Sequence, residues 1–202
     1  MSSQNEPRPD RVSQLLFQWT EGNKDALKLL IPVVYKELRQ LAHNQLRRER
    51  KPTLQTTTVV HEAYLRLTKH SPRSLRDRKQ FFAMAATIMR QVLVDHAREK
   101  HALKRDAGVK VELTPELSPI RAREVDTLAL DEALNDLAKL DPRQSRIVEL
   151  RFFAGLSIEE TSEVLGLSAT TVKRDWLTAR AWLQRQLLHA EVARSAGAGS
   201  EC

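Results

Sequence analysis

Residues 157–176, Ser-Ile-Glu-Glu-Thr-Ser-Glu-Val-Leu-Gly-Leu-Ser-Ala-Thr-Thr-Val-Lys-Arg-Asp-Trp, constrain the fold more than any other stretch of the chain. Ser157 with Glu160 three residues on is a capping box, so a helix is predicted to begin there. Gly166 stands where that helix must end, because glycine takes the left-handed conformation cheaply. Ser168 is placed to cap the next helix. Ile158, Thr161 and Leu165 then face inward from the first helix, Leu167 plugs the turn, and Val172, Trp176, Ala179 and Leu183 form the inner stripe of the second. Thr170, Thr171, Lys173 and Arg174 are left pointing outward. Two readings of that pattern stay open: a helical hairpin with a solvated face, or a helix-turn-helix presenting those four side chains to the DNA major groove.

The rest of the 202 residues favours helices as well: aromatic residues make up 5% of the chain and there are only six glycines, while leucine, alanine, arginine and glutamate abound. No apolar run approaches the roughly 20 residues that span a bilayer, so no membrane insertion is expected. Residues 1–10 are polar and lack the apolar centre of a signal peptide. The single cysteine, Cys202, can build neither an internal disulfide nor a cysteine-rich metal site, and a cytoplasmic protein is the simplest expectation. Charge is unevenly spread. Residues 1–111 carry 22 basic against 11 acidic side chains, residues 112–141 carry 3 against 8, and the remainder 8 against 7. A basic first half followed by an acidic connector suggests a polyanion partner for the first half.

Helical periodicity places elements at 12–20, at 25–48 (with Pro32 as a kink or a new start), at 58–69, and from Asp77 or Gln80 to Arg105. Val60, Tyr64 and Leu67 share one face of the third. Phe81, Met84, Ala85, Ile88, Val92 and Ala97 make the buried face of the fourth. Gly108, Pro115 and Pro119 break the pattern, so 107–125 reads as a linker, with a short extended piece around Val109, Val111 and Leu113. A helix at 126–140 follows, then one opened by Asp141-Pro142 with Ile147, Leu150 and Phe153 inside, then the helix pair. The expected organisation is an all-α chain: one small helical domain at 11–106, a flexible linker at 107–125, a second domain with the helix-turn-helix at 126–190, and a frayed tail at 191–202.

No catalytic constellation is visible. The six histidines are scattered, His96 and His101 are spaced five apart rather than three or four, and there is no phosphate-binding glycine loop and no activated nucleophile. An enzyme is not expected, and no cofactor or metal is called for. Nucleic-acid features are stronger. Arg90, Gln91, Asp95, Arg98 and Lys100 lie off the apolar stripe of the long helix, where cations can neutralise phosphates and Gln91 and Asp95 can hydrogen-bond bases. Phe81 and Phe82 are either base-stacking platforms or core residues, at least one of them core.

Together these pieces resemble an extracytoplasmic-function (ECF) sigma factor, the small two-domain class of bacterial RNA polymerase specificity subunits, from about Ser13 to Leu188. Glu62-Ala-Tyr-Leu-Arg-Leu67 looks like the segment that packs on the polymerase clamp helices. The run from Phe81 to Arg98 looks like the helix that melts and reads the minus-ten element. The run from Leu137 to Ser157 resembles the start of the second sigma domain. Thr171-Val-Lys-Arg-Asp-Trp176 matches the start of the minus-thirty-five helix. The resemblance implies that His61, Glu62, Arg66 and Leu67 form the clamp-binding face. It places Arg73, Arg76 and Arg78 at a loop holding an extruded promoter base. Arg90, Gln91, Asp95, Arg98 and Lys100 fall at the minus-ten helix, and Thr170, Thr171, Lys173, Arg174 and Arg180 at the minus-thirty-five helix. The implied partners are the polymerase core, through its clamp helices and flap, promoter DNA, and an anti-sigma factor that could hold the chain silent. Thr58 and His61 stand where the family usually has an acidic residue and a glutamine, and Asp175 and Trp176 replace more usual basic and small aliphatic residues. Asp175 beside a phosphate backbone is unfavourable unless it pairs with an arginine or reads a cytosine. The acidic linker, with Glu112, Glu116 and Glu124, would pass near the polymerase active-site channel as a nucleic-acid mimic. Two rival readings are a helix-turn-helix regulator that works without polymerase, and a helical adaptor with no salt-dependent affinity for DNA.

Overall fold

The computed structural model describes residues 11–49, 54–69, 75, 77–106 and 126–197, without the side chains of 104–106 and 193–197. The expected linker, its extended piece and its acidic residues lie outside the described residues.

The first four helices are α1 (Arg11–Thr20), α2 (Lys24–Leu46), α3 (Thr56–Lys69) and α4 (Arg78–Asp106). In α1, Val12, Leu15, Leu16 and Trp19 are buried, the spacing of a single helix face. Asn23 ends the following turn by accepting from the Asp25 and Ala26 amides, so α2 starts there. Helix α2 runs through Pro32 rather than restarting at it. Pro32 is exposed, and the carbonyl it leaves without a donor belongs to exposed Lys28, so water can take the bond. Helix α3 begins at Thr56, two residues before the expected start at 58. Asp77 accepts from the Gln80 amide at 2.9 Å and opens α4.

The remaining helices are α5 (Thr127–Leu140), α6 (Pro142–Val148), α7 (Ile158–Leu165) and α8 (Ala169–Gly197). Asp126 caps α5, and Asp141 caps α6 with Pro142 in its first turn. A π-helical segment, Glu149–Phe153, continues α6 and closes with the Ala154 amide on the Glu149 carbonyl at 3.1 Å. Apolar spacing alone did not foresee that wider turn. Helix α8 is described as far as Gly197, seven residues into the stretch read as a tail.

Helices α1 to α3 pack together and on α4, closing over Leu27, Leu30, Leu38, Leu67, Phe81 and Met89. Trp19 meets Phe81 edge-on at 6.3 Å between ring centroids. Helices α5, α6 and α8 surround Leu134, Ile147, Val172, Ala179 and Leu183. These two groups are in contact: α4 also packs against α5, the π segment and α7. One continuous apolar cluster therefore includes Ala86 and Leu93 of α4 with Leu130 and Phe153 of the second group. Accordingly α4 is buried on more than the one face expected, with Ala83, Ala86, Met89, Leu93 and Val94 enclosed besides Phe81, Ala85, Ile88 and Val92.

Candidate nucleic-acid interface

The helix pair forms as its sequence chemistry dictates. The Ser157 hydroxyl accepts from the Glu160 amide at 3.1 Å, and the Glu160 carboxylate accepts from the Ser157 amide at 2.8 Å. Gly166 ends α7 at φ +64°, a conformation that strains any residue with a Cβ. Ser168 then caps α8 by accepting from the Thr171 amide at 3.1 Å. Glu159, in the first turn of α7, has its carboxyl held below the usual range, chiefly by its own backbone N–H and then by the Ser157 hydroxyl.

Val172, Ala179 and Leu183 are buried and Trp176 is half-buried under the Arg151 guanidinium, 5.5 Å from the ring centroid. Thr170, Lys173, Arg174 and Arg180 are exposed, and Thr171 is half-buried at the cap. Asp175 does not face a phosphate backbone. Its carboxylate is 4% exposed and lies between Arg143 of α6 at 2.9 Å and Arg174 at 3.2 Å. The arginine pairing that the sequence left as one option is the one found, and it ties the base of Arg174 while leaving that side chain 71% exposed. The N-terminal turn of α8 is thus a capped, outward-facing surface that carries Lys173 and, anchored at its base by Asp175, Arg174.

On α4 the candidate contacts are less uniform. Gln91 is exposed and Lys100 half-buried. Arg78 pairs with Glu37 at 2.6 Å and lies over the Phe82 ring. Phe81 is fully buried and so a core residue, while Phe82 is half-buried. Arg90 is not on a solvent face: its side chain is 11% exposed and pairs with Asp131 of α5 and with Glu149 of the π segment. Arg98 is exposed but reaches the second Asp131 oxygen at 3.0 Å. The reason for the difference is that α5 lies along α4, which no periodicity within α4 records. Arg73 and Arg76 lie outside the described residues.

On α3, His61 is exposed and Glu62 half-buried. Leu67 is 1% exposed, so it belongs to the core and not to a docking face. Its place on the Val60–Tyr64 stripe already put it inside; the motif carried it outside. Leu65, at 40% exposed, takes the outward position instead, a residue the sequence reading did not select although it lies off that stripe. Arg66 pairs with Asp95 of α4 at 2.8 Å, joining the expected polymerase face to the expected minus-ten face. Among the described residues no group of three or more His, Cys, Asp or Glu side chains could hold a metal ion, and no helix is long and apolar enough to cross a membrane.

Residues 9–189 match the family model described as "ECF sigma factor". A curated relative, the ECF RNA polymerase sigma factor BldN of Streptomyces coelicolor, is 29% identical over 121 residues, which cover 57% of this chain and 44% of the relative. The chain therefore matches less than half the length of that relative. Among solved structures, that of CnrH in complex with the cytosolic domain of CnrY has 23% identity, covering 90% of this chain and 99% of the other at a TM-score of 0.39, too loose a superposition to transfer an arrangement.

Proposed function

The chain belongs to the ECF sigma factors, and from that membership we propose that it directs bacterial core RNA polymerase to its promoters and assists their opening. The observation that carries the reading is the capped N-terminal turn of α8, with Thr170, Lys173, Arg174 and Arg180 exposed on a helix held in place by Asp175 and the Val172–Leu183 stripe. That turn is suited to the major groove of a minus-thirty-five element, with Arg174 and Lys173 at base edges or phosphates. Residues 11–106 form the unit that docks on the polymerase clamp through His61, Glu62 and Leu65 and contacts the minus-ten strand through Gln91, Asp95, Arg98 and Lys100. Residues 126–190 form the minus-thirty-five unit. The protein acts by binding rather than by catalysing a reaction of its own, works in the cytoplasm with the polymerase, and is open to control by an anti-sigma factor.

The test is transcription from a promoter library by core polymerase with and without the protein. New start sites that depend on the protein and share an upstream pair of elements are expected. Specific footprints by the protein alone, without new initiation, would replace this reading with the polymerase-independent regulator.

A further inference from the structure

A carboxylate at the DNA-facing end of a helix is out of place unless something neutralises it, and a buried one is costly unless its charge is met. Asp175 of α8 is both. Its side chain is 4% exposed, so it cannot itself reach a base edge, and the option that it reads a cytosine falls away. Its two oxygens face two arginines on different helices. Oδ1 accepts from the Arg174 Nε at 3.2 Å. Oδ2 lies 2.9 Å from the Arg143 Nε of α6 without an aligned hydrogen bond, so Arg143 acts on it as a charge. Two arginines around one carboxylate leave a net positive cluster, which a phosphate backbone tolerates.

Consecutive side chains on a helix diverge by about 100° and ordinarily do not meet. Arg174 meets Asp175 because its stem bends back toward it. That bend engages the Nε and leaves the two Nη groups without a bond to any described residue, on a side chain that is 71% exposed. The free edge of a guanidinium is a planar fork that matches the O6 and N7 acceptors of guanine in the major groove. A fork on a freely rotating stem loses conformational freedom when it binds; one already held at its Nε loses less.

We propose that Asp175 is a positioning residue for promoter reading: braced by Arg143, it holds the Arg174 guanidinium for a guanine of the minus-thirty-five element. The element as target rests on the reading of α8 given above; the brace on Arg174 does not.

The test uses the holoenzyme of core polymerase and the full-length chain, on promoters selected from the library. Four duplexes compete that differ only at the minus-thirty-five base pair where Arg174→Ala loses discrimination. The wild type should prefer guanine there. Asp175→Asn keeps the shape and removes the charge. It should lower that preference about fivefold, the worth of one pre-ordered side chain, while binding a mixed-sequence duplex no more weakly than the wild type. In an Arg174→Ala background Asp175→Asn should change the preference no further, because it acts through that arginine. If Asp175→Asn melts below the assay temperature, Arg143→Gln, a change at a half-exposed side chain, should lower the same preference about twofold, and Arg143→Lys should restore it. No base pair at which Arg174→Ala loses discrimination, a preferred base other than guanine, an equal loss of affinity on every duplex, or an undiminished effect of Asp175→Asn without Arg174 overturns the brace. Failure of the sigma-factor reading shows differently: the wild type itself would initiate at no library promoter. The same competition would then run on duplexes that the protein footprints alone, and a chain that binds no duplex either overturns both.

Discussion

Truncating Leu67 to alanine, beside the same change at Leu65, sets the buried face of α3 against its outward face. The two residues are two positions apart on one helix and so about 200° apart around its axis. Leu67 is 1% exposed and Leu65 40%. A fully enclosed Leu→Ala loses the transfer energy of the removed atoms and leaves a cavity that the surroundings only partly fill, about 3 kcal/mol. For a chain of this size each kcal/mol moves the melting midpoint by about 2–4 °C, so Leu67→Ala should melt about 6–12 °C lower. Leu65→Ala loses little packing and should stay within about 0.5 kcal/mol of the wild type. Its cost should show in binding instead: losing an apolar contact on the proposed polymerase face amounts to about 1 kcal/mol, or about a fivefold weaker complex. Calorimetry with a matched urea titration gives the stabilities, and titration with core polymerase well below the melting midpoint gives the affinities. An unshifted midpoint for Leu67→Ala, together with weakened polymerase binding, would refute the assignment of that residue to the core.

Arg174→Ala should weaken promoter recognition by about 1–3 kcal/mol if the side chain reads a base, measured as competition between matched and mutated minus-thirty-five duplexes; an equal loss on every duplex would make it a phosphate contact. Gly166→Ala should destabilise the helix pair by about 1 kcal/mol, because the strain lies in the +64° backbone and a Cβ there would meet nothing within 4 Å; an unchanged urea midpoint would contradict that geometry. Burial pushes the Glu49 carboxyl up from its ordinary 4.5, the hydrogen bond from Thr127 opposing it only in part. The folded chain then keeps this proton where the unfolded chain has lost it, so the contribution is fully present below pH 4.5 and is lost as pH rises through the raised value. Glu49→Gln should flatten the pH dependence of stability just above pH 4.5, by less than about 1 kcal/mol since the group is only half enclosed; an identical pH profile would show that Glu49 is not desolvated.

The parts of the site that were legible in the sequence are those whose chemistry is local. Ser157, Glu160, Gly166 and Ser168 act within one or two helical turns, so their types and spacing carried the helix pair, its caps and its outward residues without any knowledge of neighbours. Asp175 was half legible. The need for an arginine partner followed from its charge, but Arg143 lies 32 positions earlier and only the packing of α6 on α8 supplies it. The π segment was not legible, because the apolar spacing of Ile147, Leu150 and Phe153 suits an ordinary helical turn as well and carries no mark of the wider one. For Leu67 the periodic stripe and the motif disagreed, and packing decided for the stripe.

By itself the sequence determined an all-helical chain, nearly every helix start, and a capped helix pair with an outward basic turn, since caps, glycine conformations and apolar periods are short-range forces. It held one further clue: the stretch from Phe81 to Val94 is apolar nearly all round, more than one buried face requires. What covers the second face was decided only by tertiary structure. The contacts that set Asp131 and Glu149 on Arg90, Gln45 on the Phe153 carbonyl and Arg48 on the Phe152 carbonyl join residues 41 to 108 positions apart, and no local propensity records them. Whether an arginine of α4 meets solvent, DNA or a carboxylate depends on which surface lies against it, and that is a property of the packed chain.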